Sequence, residues 1–231
     1  QDEIRANRSL QASSATLAAI RQGITSAFSS NLFFDEDVLT HFIKARRPLM
    51  VRSTGREDTL KVANPGGNES FGNIAPDPIA LSCAAGSVVA SYFSEKSLGQ
   101  RAAAYQDWAD AIEKELAQPP FMPILLQEMV GEIPDGTIPT SGVMYTTEAG
   151  LATPDVVQIS AAYGHAQGVV TGTLTTDVFY VQTPERSVHG IVQEKQCRIA
   201  PHNGALLSVD NPREIRQKSC LNQKEILRLA E

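Results

Sequence analysis

The stretch from Ser141 to Gln182 restricts the fold most. It reads Ser-Gly-Val-Met-Tyr-Thr, then Val-Val-Gln-Ile-Ser-Ala-Ala-Tyr-Gly-His-Ala-Gln-Gly-Val-Val-Thr-Gly, and closes on Asp-Val-Phe-Tyr-Val-Gln. Three short apolar runs stand out: Gly142–Tyr145, Val156–Ala162, and Val169–Val170 with its extension to Val181. Gly150, Gly164, Gly168 and Gly172 punctuate them. Such runs predict consecutive strands of an antiparallel sheet, with glycine letting one backbone pass close to a neighbour or a ligand.

The rest of the chain supplies helices and a second β region. Leu10, Leu17, Ile20, Ile24 and Phe28 recur at helical spacing and predict a helix within residues 1–30. Asp35-Glu36-Asp37 opens a second helix through Val38, Leu39, Phe42 and Ile43, its acidic start suiting the helix dipole, and Pro48 ends it. Leu49–Arg52 reads as a short buried strand. The longest helical region is expected from Ile79 to about Leu116. Its Ser82–Phe93 part is small and apolar, as close helix packing requires, and Asp107–Glu115 with Trp108 and Ile112 reads as an amphipathic surface helix. Pro119-Pro120 breaks the chain and predicts a boundary between an N-terminal lobe, 1–118, and a C-terminal lobe, 119–231. Pro123–Val130 reads as an apolar strand and Ile133–Thr140 as a Pro/Gly-rich loop. Ile191–Ile199 is expected to be a strand and Pro201–Gly204 a turn. Asn222 caps a last helix, with Glu225 at the capping-box position.

A net charge of −6 disfavours nucleic acid and anionic membranes as partners. No apolar run is long enough to span a bilayer. Cys83, Cys197 and Cys220 have no metal-type spacing and are odd in number, so reduced thiols in a cytoplasmic protein are expected. The chain starts at Gln1 rather than Met, and it is expected to be one piece of a longer enzyme or, alternatively, a stand-alone, reduced descendant.

Several residues admit two readings. Arg52 emerges from an apolar strand, where a guanidinium needs an anionic partner. That partner is either Glu57 or Asp58, or a phosphate. Asn64–Ser70 is either a generic turn or a glycine-rich loop presenting backbone N–H groups to phosphate. Met129 is either a core residue or a soft apolar surface for a ring. Lys96 and Arg101 either reach phosphate or are solvated helix charges. His41, His189 and His202 read as structural or surface residues.

Read together, these blocks resemble a known family. Ser141–Thr146, Ile159–Ala162, Tyr163–Gln167, Val169–Gly172 and Thr176–Tyr180 match in order, as do Val51-Arg52-Ser53-Thr54-Gly55 and Gly67-Asn68-Glu69-Ser70-Phe71. They resemble the N-terminal ATP-binding (PEP/pyruvate-binding) domain of the phosphoenolpyruvate synthase and pyruvate, phosphate dikinase family, over most of the chain after about Leu49. The resemblance implies an α+β, ATP-grasp-like fold of two lobes, with an antiparallel sheet in the C-terminal lobe and the nucleotide between the lobes. The N-terminal lobe is incomplete by that standard, because the family's upstream Gly-Gly-Lys segment has no counterpart.

The resemblance also implies chemistry: binding of ATP with Mg²⁺, and phosphoryl transfer to a histidine on a separate swivelling domain, in the same longer chain or in another protein. It makes Arg52 the phosphate-binding, catalytic cation and Gly67, Glu69 and Ser70 the loop over the triphosphate. Gln127 lies in the hinge strand that meets adenine, with Met129 packed on the ring. Gln167, Asp177 and Gln182 are the implied metal ligands. Departures bear on this assignment. Gln167 stands where the family has glutamate, and a neutral oxygen holds Mg²⁺ less strongly than a carboxylate. His165-Ala166 replaces Leu-Gly, Thr176 replaces proline, Lys96 replaces arginine, and the segment between Arg52 and Gly67 is about one residue short. His165 is read as filling a turn, since the acceptor histidine of relatives sits in another domain.

Two functions follow: the ATP-binding domain of a phosphotransferase, or a catalytically degenerate nucleotide-binding or interaction module of the same fold. Within the first, the final acceptor stays open, including a glucan or an antibiotic, as does a homo-oligomer. In the first reading, Arg52 and the turns near 164–177 converge on one polyphosphate tail.

Overall fold

The computed structural model describes residues 14–31, 36–54, 66–104, 114, 117, 122–131, 137–146 and 155–231. It is a mixed α/β structure with antiparallel sheets, divided into two compact units. The first comprises Gln1–Met129 with Asn203–Ala205, the second Val130–His202 with Leu206–Glu231.

In the first unit the order is α1 (Ser14–Ser30), α2 (Glu36–Ala45), β1 (Leu49–Ser53), β2 (Ser70–Ile74), α3 (Pro78–Ser91), α4 (Glu95–Ala104) and β3 (Ile124–Glu128). Helix α3 starts where its sequence provides a cap. The Asp77 carboxylate accepts from the N–H groups of Ile79 and Ala80 at 3.0 and 2.9 Å, and Pro78 occupies the first turn. Gly86 lies so close to Phe28 of α1 that an added Cβ would collide with it, which is the close packing its small residues predict. The long helical region is interrupted after Ser91. Ser94 restarts it as a cap, its hydroxyl accepting from Ser97 N–H at 3.1 Å and its carbonyl from Leu98 N–H.

The sheet order is β2-β1-β3, both pairings antiparallel. Leu49 and Val51 are buried in a core with Leu17, Leu39, Leu81, Val88 and Leu98. β3 pairs along β1, and the first compact unit runs to Met129. Pro119-Pro120 themselves and the Trp108–Ile112 segment lie outside the described residues.

The second unit carries the expected sheet. β4 (Thr140–Tyr145), β5 (Val156–Tyr163), β6 (Asp177–Gln182) and β7 (Ser187–Ile191) lie side by side in chain order, all antiparallel. Val157, Ile159 and Ala161 alternate inward along β5, meet Phe179 and Val181 of β6, and are joined by Cys220 and Ile226. Two expectations are corrected. Val169–Val170 is not strand but part of a single helical turn, α5 (Gln167–Val170), closed by Val169 and Val170 N–H donating to Ala166 O. Gly164, at φ +89, diverts the chain into it. Nor is Ile191–Ile199 continuous strand: β7 ends at Ile191 and β8 (Cys197–His202) begins six residues on, because Gln193 and Lys195 between them turn to Asp177. β8 pairs with β9 (Ala205–Asp210) through Asn203-Gly204, at φ 47 and 76, the two positive values a tight hairpin needs. The last helix, α6 (Gln223–Leu229), has the full capping box of Asn222 and Glu225.

Candidate functional site

Strand register gathers part of the expected site in the first unit. Arg52 lies opposite Ser70 on β2 and Leu125 on β3, and Met50 lies opposite Gln127. Directly paired residues project to the same face, and alternation places Met50 with Arg52 and Leu125 with Gln127. Ser70, Arg52 and Gln127 therefore share one face of the sheet, with Arg52 and Gln127 exposed and Ser70 half-buried. Leu49 and Val51 fill the opposite face. Arg52 makes no ion pair among the described residues; Glu57 and Asp58, its alternative partners, lie outside them. An exposed guanidinium that makes no ion pair among the described residues, on one face with a hydroxyl and an amide, is suited to an anionic ligand.

The glycine-rich loop ends at this face. Gly66 takes φ +68 and Gly67 is buried. Three side chains from α3 and α4 tether the loop. Lys96 Nζ donates to Gly66 O at 2.6 Å, Ser97 Oγ to Asn68 Oδ1 at 3.2 Å, and Glu69 N–H to Ser91 Oγ at 2.9 Å. Lys96 is thus engaged with the loop itself, and the Glu69 side chain is exposed. Asn68 Nδ2 is buried with no hydrogen-bond partner among the described residues. Met129 is buried, its sulfur 2.8 Å from Asn73 N at an irregularity of β2 where Asn73 takes φ +62. Its own N–H donates to Pro48 O.

The second unit holds the three residues expected to bind metal, and it does not bring them together. Gln167 is exposed at the start of α5. Asp177 and Gln182 occupy opposite ends of β6, about 16 Å apart by strand rise and on opposite faces, so they cannot close on one ion. Gln182 Oε1 accepts from Ser187 Oγ at 2.9 Å. Asp177 is fully buried. Its Oδ1 accepts from Lys195 Nζ at 2.5 Å and Gln193 N–H at 3.0 Å, and its Oδ2 from Cys220 N–H at 2.9 Å. Among the described residues no group of three or more His, Cys, Asp or Glu could hold a metal.

Burial and the Asp177 charge shape the neighbouring titrations. Burial, then Asp177, pushes the Cys220 thiol well above its ordinary value, with Lys195 opposing. Tyr163 is raised by burial and by Cys220 and Asp177. Cys220 packs in the core of the second unit, and its N–H serves the Asp177 carboxylate. Lys195 gave no signal in the sequence: it stands in a polar run, Gln193-Glu194-Lys195-Gln196, yet is fully buried.

Residues 9–231 match the family described as pyruvate phosphate dikinase, AMP/ATP-binding domain. An uncharacterized phosphotransferase of Bacillus subtilis (strain 168), YvkC, is 24% identical over 212 residues, covering 90% of this chain and 23% of its own length. A phosphoenolpyruvate synthase of Aquifex aeolicus (strain VF5) is 34% identical over 98 residues, 39% of this chain and 11% of that protein. The chain thus spans under a quarter of the length of these relatives.

Proposed function

This chain belongs to the pyruvate phosphate dikinase AMP/ATP-binding domain family, and from that membership we propose that it is the ATP-binding part of a phosphoenolpyruvate synthase-like phosphotransferase, with an ATP-grasp-like fold. The observation that supports the site most directly is the shared exposed face of Ser70, Arg52 and Gln127, with Arg52 unpaired among the described residues. Arg52 binds and neutralises the phosphates. The tethered Gly67–Ser70 loop lies along the triphosphate, and the β3 edge that follows Gln127 receives adenine, with Met129 beneath. Mg²⁺ arrives with the nucleotide, held mainly by phosphate oxygens and water, as that ion prefers. Within the second unit Gln167 offers an exposed side-chain oxygen, whereas the Asp177 carboxylate is engaged by Lys195. The phosphoryl group passes to a histidine on a separate domain, in the cytoplasm.

Calorimetric titration of ATP with and without Mg²⁺ tests this reading. Saturable binding that weakens without Mg²⁺ is expected, and Gln167→Glu should make the metal dependence steeper. No binding under either condition removes the proposal. The second reading, a module that keeps the nucleotide but has lost transfer, is favoured by the neutral Gln167 and by the engagement of Asp177 with Lys195. Tight ATP binding with no phosphoryl transfer to a supplied histidine domain would select it.

A further inference from the structure

The buried lysine has a use beyond satisfying Asp177. Lys195 and Asp177 are both fully buried, and an isolated charge there would be far more costly than the pair. Every described hydrogen bond to the Asp177 carboxylate comes from later in the chain: Gln193 N–H, Lys195 Nζ and Cys220 N–H. Lys195 Nζ also donates to Gln193 O at 2.7 Å, so the ammonium closes a small loop against the start of β6. Asn211, itself buried, ties the next step, its Nδ2 donating to Lys195 O at 2.9 Å and Cys197 O at 3.1 Å. Asn211 N–H donates to Gln196 O.

That fixed segment leads straight into Ile199, which holds the turn carrying Gln167. Ile199 O accepts from His165 N–H at 2.8 Å, and Gly164 forms a parallel bridge with Ile199. Both turn glycines are pressed against the same residue: a Cβ on Gly164 would run into the Ile199 carbonyl, and one on Gly168 into the side chains of Leu174 and Ile199. Ile199 therefore backs the turn from one side, adding to its internal hydrogen bonds and to the bonds of Gly164 with Pro139 and Ser141.

We propose that Asp177, Lys195 and Asn211 form a latch that fixes Gln193–Ile199 and, through Ile199, sets the conformation of the Gly164–Gly168 turn and the direction of Gln167. Lys195 and Asn211 are then positioning residues for Gln167, and any effect on nucleotide binding rests on the function proposed above.

Amide hydrogen exchange on the whole chain tests the latch without any ligand. Lys195→Met leaves Asp177 buried and uncompensated and can prevent folding, so Asn211→Ala, which strands no charge, is the second variant. Asn211→Ala should speed exchange at His165, Thr171 and Leu174 at least tenfold while Ile159 and Phe179 in β5 and β6 keep their protection. Asp177→Asn/Lys195→Met should recover protection relative to Lys195→Met. Uniform loss of protection across turn and sheet, or an unchanged turn, overturns the latch. MgATP titration provides the second readout: in Asn211→Ala, affinity should fall several-fold with Mg²⁺ and little without it. Equal loss in both conditions counts against positioning. If the unaltered protein binds no ATP, the proposed function fails while the exchange result still judges the latch.

Discussion

The two glycine-bearing turns are built on opposite plans. The Gly66–Ser70 loop is tethered by side chains: Lys96, Ser97 and Ser91 reach it from two helices, and among the described residues only the Lys96 ammonium approaches Gly66. The Gly164–Gly172 turn is held mainly by backbone: Gly164 N–H donates to Pro139 O and His165 N–H to Ile199 O, and its first glycine touches another main chain, with Ser141 Oγ adding a side-chain bond to Gly164 O. A side-chain tether can lengthen or let go at small cost. The first loop hangs on side chains of α3 and α4, whereas the second turn is set chiefly against neighbouring main chain.

The largest expected effect breaks the second turn. Gly164→Ala places a Cβ against Ile199 at a positive φ and should cost about 3 kcal/mol, read by urea denaturation. A loss under 1 kcal/mol would mean that the turn yields and the contrast is wrong. Next comes pH. Because burial raises the Cys220 thiol, the folded chain keeps a proton that the unfolded chain releases above its ordinary thiol range near pH 8.5. The stabilisation is whole below that range and is lost as pH rises toward the folded value, by up to about 1.4 kcal/mol per pH unit. Cys220→Ala should flatten the alkaline slope, and identical slopes in the two proteins would deny the shift.

Smaller effects belong to the first unit. Arg52→Ala removes an exposed side chain, so stability should hold within about 0.5 kcal/mol while ATP affinity falls ten- to a hundredfold. Unchanged affinity in calorimetry would count directly against the shared face of Ser70, Arg52 and Gln127. Smallest is Lys96→Ala, which releases one carbonyl at the surface and should cost about 0.5 kcal/mol. A cost as large as that of Gly164→Ala would erase the distinction between the two turns.

Local order was written in short stretches. Asp77-Pro78, Asn222 to Glu225, Asn203-Gly204 and the alternation of Val157, Ile159 and Ala161 each name their own structure, because caps, tight turns and strand faces are set by neighbouring residues. The Arg52 strand could be read for the same reason. Its meeting with Ser70 and Gln127 could not, since it depends on register across segments far apart in the chain. Val169–Val170 misled because a two-residue apolar run carries no period, and Gly164 decided its conformation.

What the sequence determined by itself is the family, the cap positions and the strand alternation, all of which act over a few residues. Tertiary structure alone decided that Asp177 is a buried anchor rather than an open carboxylate. A charge leaves water only when another is brought to it, and Lys195, 18 residues later, is brought there by folding alone.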